Sequence, residues 1–185
     1  IKGFIPQSIF IGLGGTFAPW VGALVKDIHQ PILLVVPDEM QKETIIRLSR
    51  VGFDNVLGYL QGGFKSWEAS GKDLDTLQSV SAEVLAQQLD KDALVFDVRK
   101  PGEYAAEHIE NVTSTPLDFL NDHLTEFPIN KDFYVHCAGG YRSVIAASIL
   151  KARGFRKVID VAGGYGAIKE TGIKRTQATA CSNSK

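Results

Sequence analysis

Two segments of the chain repeat one another at an offset of about 102 residues. Val51–Leu74 reads VGFDNVLGYLQGGFKSWEASGKDL, and Arg153–Thr176 reads RGFRKVIDVAGGYGAIKETGIKRT. The shared positions are glycines, aromatic residues and one apolar position: Gly52 with Gly154, Phe53 with Phe155, Val56 with Val158, Gly62-Gly63 with Gly163-Gly164, Phe64 with Tyr165, and Gly71 with Gly172. Because chance rarely aligns all of these together, the sequence indicates a tandem duplication of a domain of roughly 100 residues.

Apolar strands alternate with helical patterns in each copy. The second copy is predicted to contain strands at Ala93–Val98, Phe133–His136 and Val158–Val161, and helices at Ala82–Leu89, capped by Ser81, and Ser143–Arg153, ending at Gly154. Continuous apolar strands between helices indicate a parallel sheet that is covered on both faces. The predicted fold class is therefore α/β, with two tandem doubly wound parallel-sheet domains.

The two copies are not equally complete. We expect a truncated first domain at residues 1–76, a complete one at residues 77–176 and a polar tail at residues 177–185. Nothing in the first copy corresponds to Ser79–Glu107, which supplies the opening helix and strand of the second. This difference predicts an unpaired sheet edge in the first copy, with a tendency to self-associate.

Composition and charge narrow the range of partners. The net charge of −1 predicts no nucleic-acid partner and no anionic membrane partner. The apolar runs are strand-sized and too short to cross a bilayer. The two cysteines, Cys137 and Cys181, stand in unlike contexts, so we expect no disulfide and a reducing, cytoplasmic setting. Because the chain begins with Ile1, we expect it to be a piece of a longer polypeptide.

The segment VHCAGGYRS, Val135–Ser143, places a cysteine directly after an apolar strand and before a helix. Ligands of open α/β sheets bind at the carboxyl ends of the strands, and a helix N-terminus favours negative charge there. Gly139 and Gly140 permit a loop that turns its amides inward, and Arg142 adds a cation. This environment favours the thiolate, so Cys137 is predicted to be a nucleophile rather than a packing residue.

The spacing of this loop separates two kinds of cysteine chemistry. Cysteine phosphatases carry Cys-x5-Arg, whereas Cys137 and Arg142 are separated by four residues. The shorter loop resembles that of the rhodaneses, a sulfurtransferase family whose loop holds a cysteine persulfide. Phe96–Val112 and Val158–Gly172 resemble the opening and closing signatures of that family, although Glu110-Asn111 stands where Pro-Gly is usual.

The resemblance implies a role for each residue of the site. Cys137 would carry the sulfur, and the loop residues Ala138, Gly139, Gly140, Tyr141 and Arg142 would bind the substrate. Three further residues would support the loop: Asp97, Arg99 and His136. A structural ion pair or a helix cap is an equal alternative for Asp97 and Arg99. A hydrogen-bonding role is expected for His136, whose side chain should point away from that of Cys137. Glu103 and His108 are assigned to packing.

The first copy lacks these groups. At the same offset Val35 replaces the cysteine, Asp38-Glu39 replaces Gly140-Tyr141, and Met40 replaces the arginine. Two carboxylates in a former anion cradle would repel thiosulfate or a persulfide. The first copy is therefore predicted to be catalytically inactive, with a structural or docking role.

The sequence of the first copy resembles part of a larger class of protein. FIPQSIFIGLGGTFAPWVGAL, residues 4–24, followed by an inactive copy and then HCAGGYRS, is similar to the C-terminal part of metallo-β-lactamase-like persulfide dioxygenases fused to tandem rhodaneses. The resemblance implies an iron-containing domain upstream, as a partner in the same polypeptide. Within this chain we expect no cofactor and no metal, because the four histidines have no zinc spacing.

Three functions remain open from the sequence. The first is a sulfurtransferase that accepts sulfur from glutathione persulfide or thiosulfate and passes it to a thiol, cyanide or sulfite. Arg142 is the one cation of the loop, whereas rhodaneses that use dianionic thiosulfate often carry another basic residue there, so the resemblance favours a small persulfide as donor. The second is a cysteine phosphatase or arsenate reductase. The third is a non-catalytic docking module.

Overall fold

The computed structural model describes residues 1–14, 16–89 and 93–177, and it divides into two compact units, Ile1–Thr76 and Leu77–Lys185. Most of the predicted polar tail, with Cys181, lies outside the described residues. Among the helices described, none has both the length and the apolar character needed to cross a membrane.

Each helix and strand belongs to one unit, and those of the first unit all precede those of the second along the chain. The first unit contains α1 (Phe17–Leu24), β1 (Ile32–Leu34), α2 (Gln41–Ser49), β2 (Val56–Tyr59) and α3 (Gly63–Ala69). The second contains β3 (Gln78–Val80), α4 (Ala82–Leu89), β4 (Leu94–Asp97), α5 (Pro101–Ala106), β5 (Glu107–Ile109), β6 (Thr113–Ser114), two 3₁₀ helices (Leu117–Asp122 and Leu124–Glu126), β7 (Phe133–His136), α6 (Tyr141–Ala152), β8 (Val158–Val161), α7 (Gly164–Lys169) and β9 (Arg175–Gln177).

The first unit is built around a two-stranded parallel sheet formed by β1 and β2. One side of the sheet is packed against helices, in a cluster that contains Phe17, Leu34 and Leu48. Alternate strand residues are open to solvent, with Leu33 74% and Leu57 66% exposed. The first unit was predicted to be an incomplete domain, and its described residues show a small parallel sheet rather than a second full doubly wound domain.

The second unit is an α/β domain with a five-stranded parallel sheet in the order β3-β8-β7-β4-β6. On one face Tyr134 of β7 packs in a cluster that includes Leu85 of α4 and Ile168 of α7. Its neighbour Phe133 points to the other face, where its ring lies within 5.6 Å of the ring centroid of Phe96. All four residues of β7 and all four of β8 are buried. The central strands are thus covered on both sides, as a parallel sheet requires.

The predicted elements of the second unit are confirmed with small changes at their ends. β7, β8 and α4 have the predicted bounds, and β4 is the inner part of the predicted strand Ala93–Val98. The hydroxyl of Ser81 accepts the Val84 amide of α4 at 3.4 Å, as expected of an N-cap. α6 begins at Tyr141, two residues earlier than predicted, because Gly140 with φ 100° ends the loop in the left-handed region.

Candidate functional site

Cys137 lies at the carboxyl end of β7, in the middle of the five-stranded sheet. Its side chain is 1% exposed, and the two residues that follow, Ala138 and Gly139, are exposed. The chain turns at Gly140 and enters α6 at Tyr141, which is 40% exposed. The sulfur therefore lies at the base of a short loop whose rim is open to solvent, next to the N-terminus of a twelve-residue helix.

Polar groups of the loop and of α6 contact the sulfur. The amide of Gly140 donates to Sγ at 3.1 Å, and the hydroxyl of Ser143 lies 3.6 Å from Sγ. The same hydroxyl donates to the carbonyl of Gly140 at 3.1 Å. An amide that points at sulfur from a helix N-terminus stabilises negative charge there, so the loop is suited to hold a thiolate or a persulfide anion.

The glycine pair at the start of α7 fixes the other side of the loop. The amide of Tyr165 donates to the carbonyl of Cys137 at 2.6 Å, and the amide of Gly166 donates to that of Ala138 at 2.9 Å. Gly164 has φ 54°, and a Cβ atom placed there would lie 2.3 Å from the carbonyl oxygen of Cys137. Only glycine leaves room for this close approach. The sequence repeat singled out these glycines as shared positions, but it did not reveal that they hold the cysteine loop.

Arg142 is engaged by a carboxylate rather than being free to meet a substrate. Its Nη1 and Nη2 donate to the two carboxylate oxygens of Glu103 at 2.5 and 2.8 Å. Glu103 lies in the first turn of α5, where it also accepts the amide of Lys100 at 3.0 Å. The hydrogen bond from Arg142 lowers the pKa of Glu103 to about 2, and the same bond raises the pKa of Arg142. Sequence reasoning assigned Glu103 to packing, and the structure places it at the cysteine loop instead.

Asp97 and Arg99 form a buried ion pair beside the site. The guanidinium of Arg99 binds both carboxylate oxygens of Asp97 at 2.6 to 3.0 Å and donates to the carbonyl of Glu107 at 2.7 Å. It also lies over the ring of Tyr165 at 3.7 Å from the centroid. Since every contact named here is internal, the arrangement favours the structural alternative for these two residues.

His136 lies in the core of the domain, 0% exposed, with its ring stacked on that of Tyr165. Neither ring nitrogen has a hydrogen-bond partner in the described part of the chain, so the predicted hydrogen-bonding role is not seen. Nε2 is 3.9 Å from a carboxylate oxygen of Asp97. Burial lowers the pKa of His136, which keeps the imidazole neutral at pH 7 and makes it a packing ring.

A buried carboxyl group that the sequence did not single out lies close to the loop. Asp160 of β8 is 1% exposed, and its Oδ2 accepts the hydroxyl of Ser79 at 2.8 Å. Its Oδ1 has no partner among the described residues. Burial raises the pKa of Asp160, whereas the hydroxyls of Ser143 and Ser79 lower it, so the charged form is costly at this position.

Replacing Asp160 by asparagine is expected to raise thermal stability at pH 7.5 by about 4 °C, a shift of the size that roughly 1 kcal/mol produces in a domain like this. The pKa of Asp160 is raised in the folded state, so the charged carboxyl weakens folding increasingly as the pH rises from the usual aspartate range through the raised value. Asparagine removes this penalty. Thermal unfolding curves at pH 7.5 and pH 3.5 test it, since the gain should vanish at the lower pH. An equal gain at both values would contradict this explanation.

The corresponding loop of the first unit carries no cysteine. Gly63 has φ 57°, as Gly164 has 54°, and a Cβ there would lie 2.5 Å from the carbonyl oxygen of Val36. This contact places Val36 at the position of Cys137, one residue after Val35, which the sequence repeat had aligned there. The shift arises because one more residue separates β2 from its glycine pair than separates β8 from the pair that follows it.

Among the residues described, no group of three or more histidine, cysteine, aspartate or glutamate side chains is placed to hold a metal ion.

Comparison with known proteins agrees with this geometry. Residues 81–171 match the family model described as rhodanese-like domain. A putative sulfur carrier protein of Bacillus subtilis, YrkF, is 34% identical over 102 residues, which cover 54% of this chain and 55% of that protein. The chain thus spans about half the length of this relative. A sulfurtransferase of Allochromatium vinosum is 29% identical over 90 residues, which cover 48% of this chain and 84% of that protein.

A solved structure carries the same fold. The rhodanese-like domain of an Anabaena protein superposes with a TM-score of 0.50 at 25% sequence identity, covering 55% of this chain and 80% of that one. Residues 81–171, the region that the family model matches, contain every strand of the five-stranded sheet except β3, together with the cysteine loop. Residues 81–171 of this chain therefore form a rhodanese-like domain.

Proposed function

We propose that the second unit is a rhodanese-type sulfurtransferase that carries sulfane sulfur as a persulfide on Cys137. The observation that carries this proposal is the buried sulfur at the end of β7, which accepts the Gly140 amide at 3.1 Å. The N-terminus of α6 and the inward amide can stabilise an anion at this position. A cysteine used only for packing has no need of an amide aimed at its sulfur.

The reaction is a two-step transfer. In the first step the Cys137 thiolate attacks the outer sulfur of a persulfide R–S–SH, the S–S bond of the donor breaks, and R–S⁻ leaves with the bonding electron pair. The enzyme is then Cys–S–SH. In the second step an acceptor thiolate attacks the outer sulfur, forms a new persulfide and returns Cys137 to its thiolate. Glutathione persulfide and thiosulfate are the proposed donors, and a thiol, cyanide or sulfite is the proposed acceptor.

The remaining loop residues have supporting parts in this proposal. Ala138 and Gly139 line the exposed rim, and Tyr141 borders it, so these three would meet the donor. Arg142 would hold the loop through its ion pair with Glu103. Asp97, Arg99 and His136 would act only by packing beneath the loop.

A steady-state assay of sulfur transfer tests the function. With thiosulfate as donor and cyanide as acceptor, the protein should form thiocyanate with ping-pong kinetics, because a covalent intermediate separates the two substrates. Hydrolysis of p-nitrophenyl phosphate should be undetectable under the same conditions. Phosphate ester hydrolysis of comparable efficiency, without thiocyanate, would favour the phosphatase alternative and overturn the proposal.

A sulfur carrier is the second candidate, and the similarity to the putative sulfur carrier protein of Bacillus subtilis favours it. In that case Cys137 would accept sulfur readily but pass it to a protein thiol rather than to a small molecule.

We further propose that the first unit is an inactive rhodanese-like remnant, since Gly62 and Gly163 both cap their helices in the left-handed region at φ 75° and 72°. A metallo-β-lactamase-like persulfide dioxygenase domain in the same polypeptide is the proposed partner, and pull-down by such a domain tests it.

A further inference from the structure

We infer that Glu103 is a specificity-determining residue that selects sulfur donors by the charge of their reacting end. With Arg142 bound to Glu103, the loop favours donors whose sulfur-bearing group carries at most one negative charge. A dianion such as thiosulfate is disfavoured. The inference rests on the proposed sulfur transfer at Cys137, and it goes beyond it by assigning the selection of donors to a residue outside the loop.

The charge of Arg142 is already balanced. Its guanidinium makes two hydrogen bonds to Glu103, so a carboxylate already occupies the edge that carries Nη1 and Nη2. The side chain of Arg142 is 17% exposed and that of Glu103 is 36% exposed, and water therefore screens the pair only in part. Across a partly buried ion pair of this kind, the added charge of a dianion meets the carboxylate at short range.

Glu103 is also fixed in place by its own helix. Its Oε2 accepts the Lys100 amide at 3.0 Å, which ties the carboxylate to the first turn of α5. Swinging aside to release Arg142 would break this bond together with the two from the guanidinium. A dianionic donor that needs the full charge of Arg142 must disrupt all three contacts, whereas a monoanionic donor can be held by the Gly140 amide and the helix N-terminus alone.

Arg99, another arginine near the strand ends, does not supply a positive charge for binding a dianionic donor. Arg99 follows β4, the neighbour of β7, and its guanidinium is held by Asp97 and the carbonyl of Glu107. It is 4% exposed and lies over the Tyr165 ring. Both arginines are thus paired with carboxylates, and the anion-binding capacity of the loop comes from its amides.

Two donors that differ in charge at the reacting end provide the test. Thiosulfate gives Cys–S–S⁻ and sulfite, and the monoanion benzenethiosulfonate gives Cys–S–S⁻ and benzenesulfinate. In each case the S–S bond of the donor breaks and the leaving group keeps the electron pair. Glu103→Gln should raise the ratio of kcat/KM for thiosulfate to that for benzenethiosulfonate by about tenfold, chiefly through KM, because it removes one negative charge beside the loop.

Matched variants separate charge selection from general effects. Glu107→Gln removes a carboxylate that is likewise paired with cations, Lys169 at 2.7 Å and Arg175 at 3.0 Å, and it should leave the ratio unchanged. Glu103→Asp keeps the charge on a shorter side chain and should keep the ratio close to that of the parent protein. An unchanged ratio in Glu103→Gln, or an equal change in Glu107→Gln, would overturn the inference.

A second readout does not depend on sulfur transfer. The rates at which Cys137 reacts with iodoacetate, an anion, and with iodoacetamide, its neutral analogue, report the local charge directly. Glu103→Gln should raise the iodoacetate-to-iodoacetamide ratio severalfold. If this ratio rises while neither sulfur donor loads Cys137, the charge role of Glu103 stands and the proposed function fails. If the donors load Cys137 and neither ratio changes, the proposed function stands and the inference about Glu103 fails.

Discussion

Replacing Cys137 by serine is expected to lower kcat/KM for thiocyanate formation at least about 1,000-fold, because a neutral hydroxyl is a far weaker nucleophile than a thiolate and forms no persulfide. The fold should be retained. The serine oxygen can still accept the Gly140 amide and remain near the Ser143 hydroxyl, both of which contact Sγ. Thermal unfolding of the variant checks that the loss is chemical.

Cys181→Ser is the matched control for this change, because Cys181 is the second cysteine of the chain. This variant should transfer sulfur at the parent rate. A Cys137→Ser protein that is folded and still forms thiocyanate within about tenfold of the parent would remove Cys137 from the mechanism.

Gly164→Ala should have the second largest effect, a loss of sulfur transfer of about 100-fold, since displacement of a reacting group by about 1 Å can cost that much. The new Cβ would lie 2.3 Å from the Cys137 carbonyl oxygen and 2.9 Å from the carbonyl carbon of Ala138. Both neighbours are backbone atoms, so the loop itself must move. The amide bonds from Tyr165 and Gly166 that hold those carbonyls would lengthen. The kinetic loss is measured alongside the free energy of unfolding.

Substitutions at two other glycines separate the steric overlap at Gly164 from the backbone strain of a positive φ angle. Gly154 has φ 98° with nothing within 4 Å of an added Cβ, so Gly154→Ala should cost about 1 kcal/mol of stability and leave turnover unchanged. Gly172 has open space around it, and Gly172→Ala serves as the neutral control. If Gly164→Ala behaved like Gly154→Ala, the close approach of α7 to the cysteine loop would have no functional part.

The strands of the second unit could be predicted from the sequence because burial on both faces leaves a clear mark. β7 and β8 are short, mostly apolar runs between polar turns, with His136 and Asp160 as their polar members, and each has its predicted bounds. The position of Cys137 followed from the same logic, since a residue directly after a central parallel strand must lie at the carboxyl edge of the sheet. The helix that follows was predicted as well, apart from its first two residues.

Contacts between residues far apart in the chain could not be predicted in this way. Glu103 and Arg142 are 39 residues apart, and Ser79 and Asp160 are 81 residues apart. No periodicity or spacing rule connects such positions, because the fold alone brings α5 to the loop and β3 to β8. His136 shows the opposite error. Strand alternation predicted that its ring points away from the cysteine, but the expected hydrogen bond is not seen, because the ring packs in the core against Tyr165.

The first unit shows which structural features a sequence repeat predicts and which it does not. The glycine pair Gly62-Gly63 does have the same left-handed conformations as Gly163-Gly164. A one-residue difference before that pair nevertheless changed which residue stands in place of the cysteine, from Val35 to Val36. The first unit also pairs only two strands among its described residues, β1 and β2, and these do not make a complete doubly wound sheet.

Intact-protein mass spectrometry before and after incubation with glutathione persulfide or thiosulfate tests the central claim most directly. The account predicts a gain of about 32 Da, one sulfur atom, on Cys137, which is lost again when a thiol is added. Peptide mapping assigns the site, and Cys137→Ser protein should gain nothing. A folded protein whose Cys137 reacts with iodoacetamide, yet gains no mass with either donor, would contradict the account.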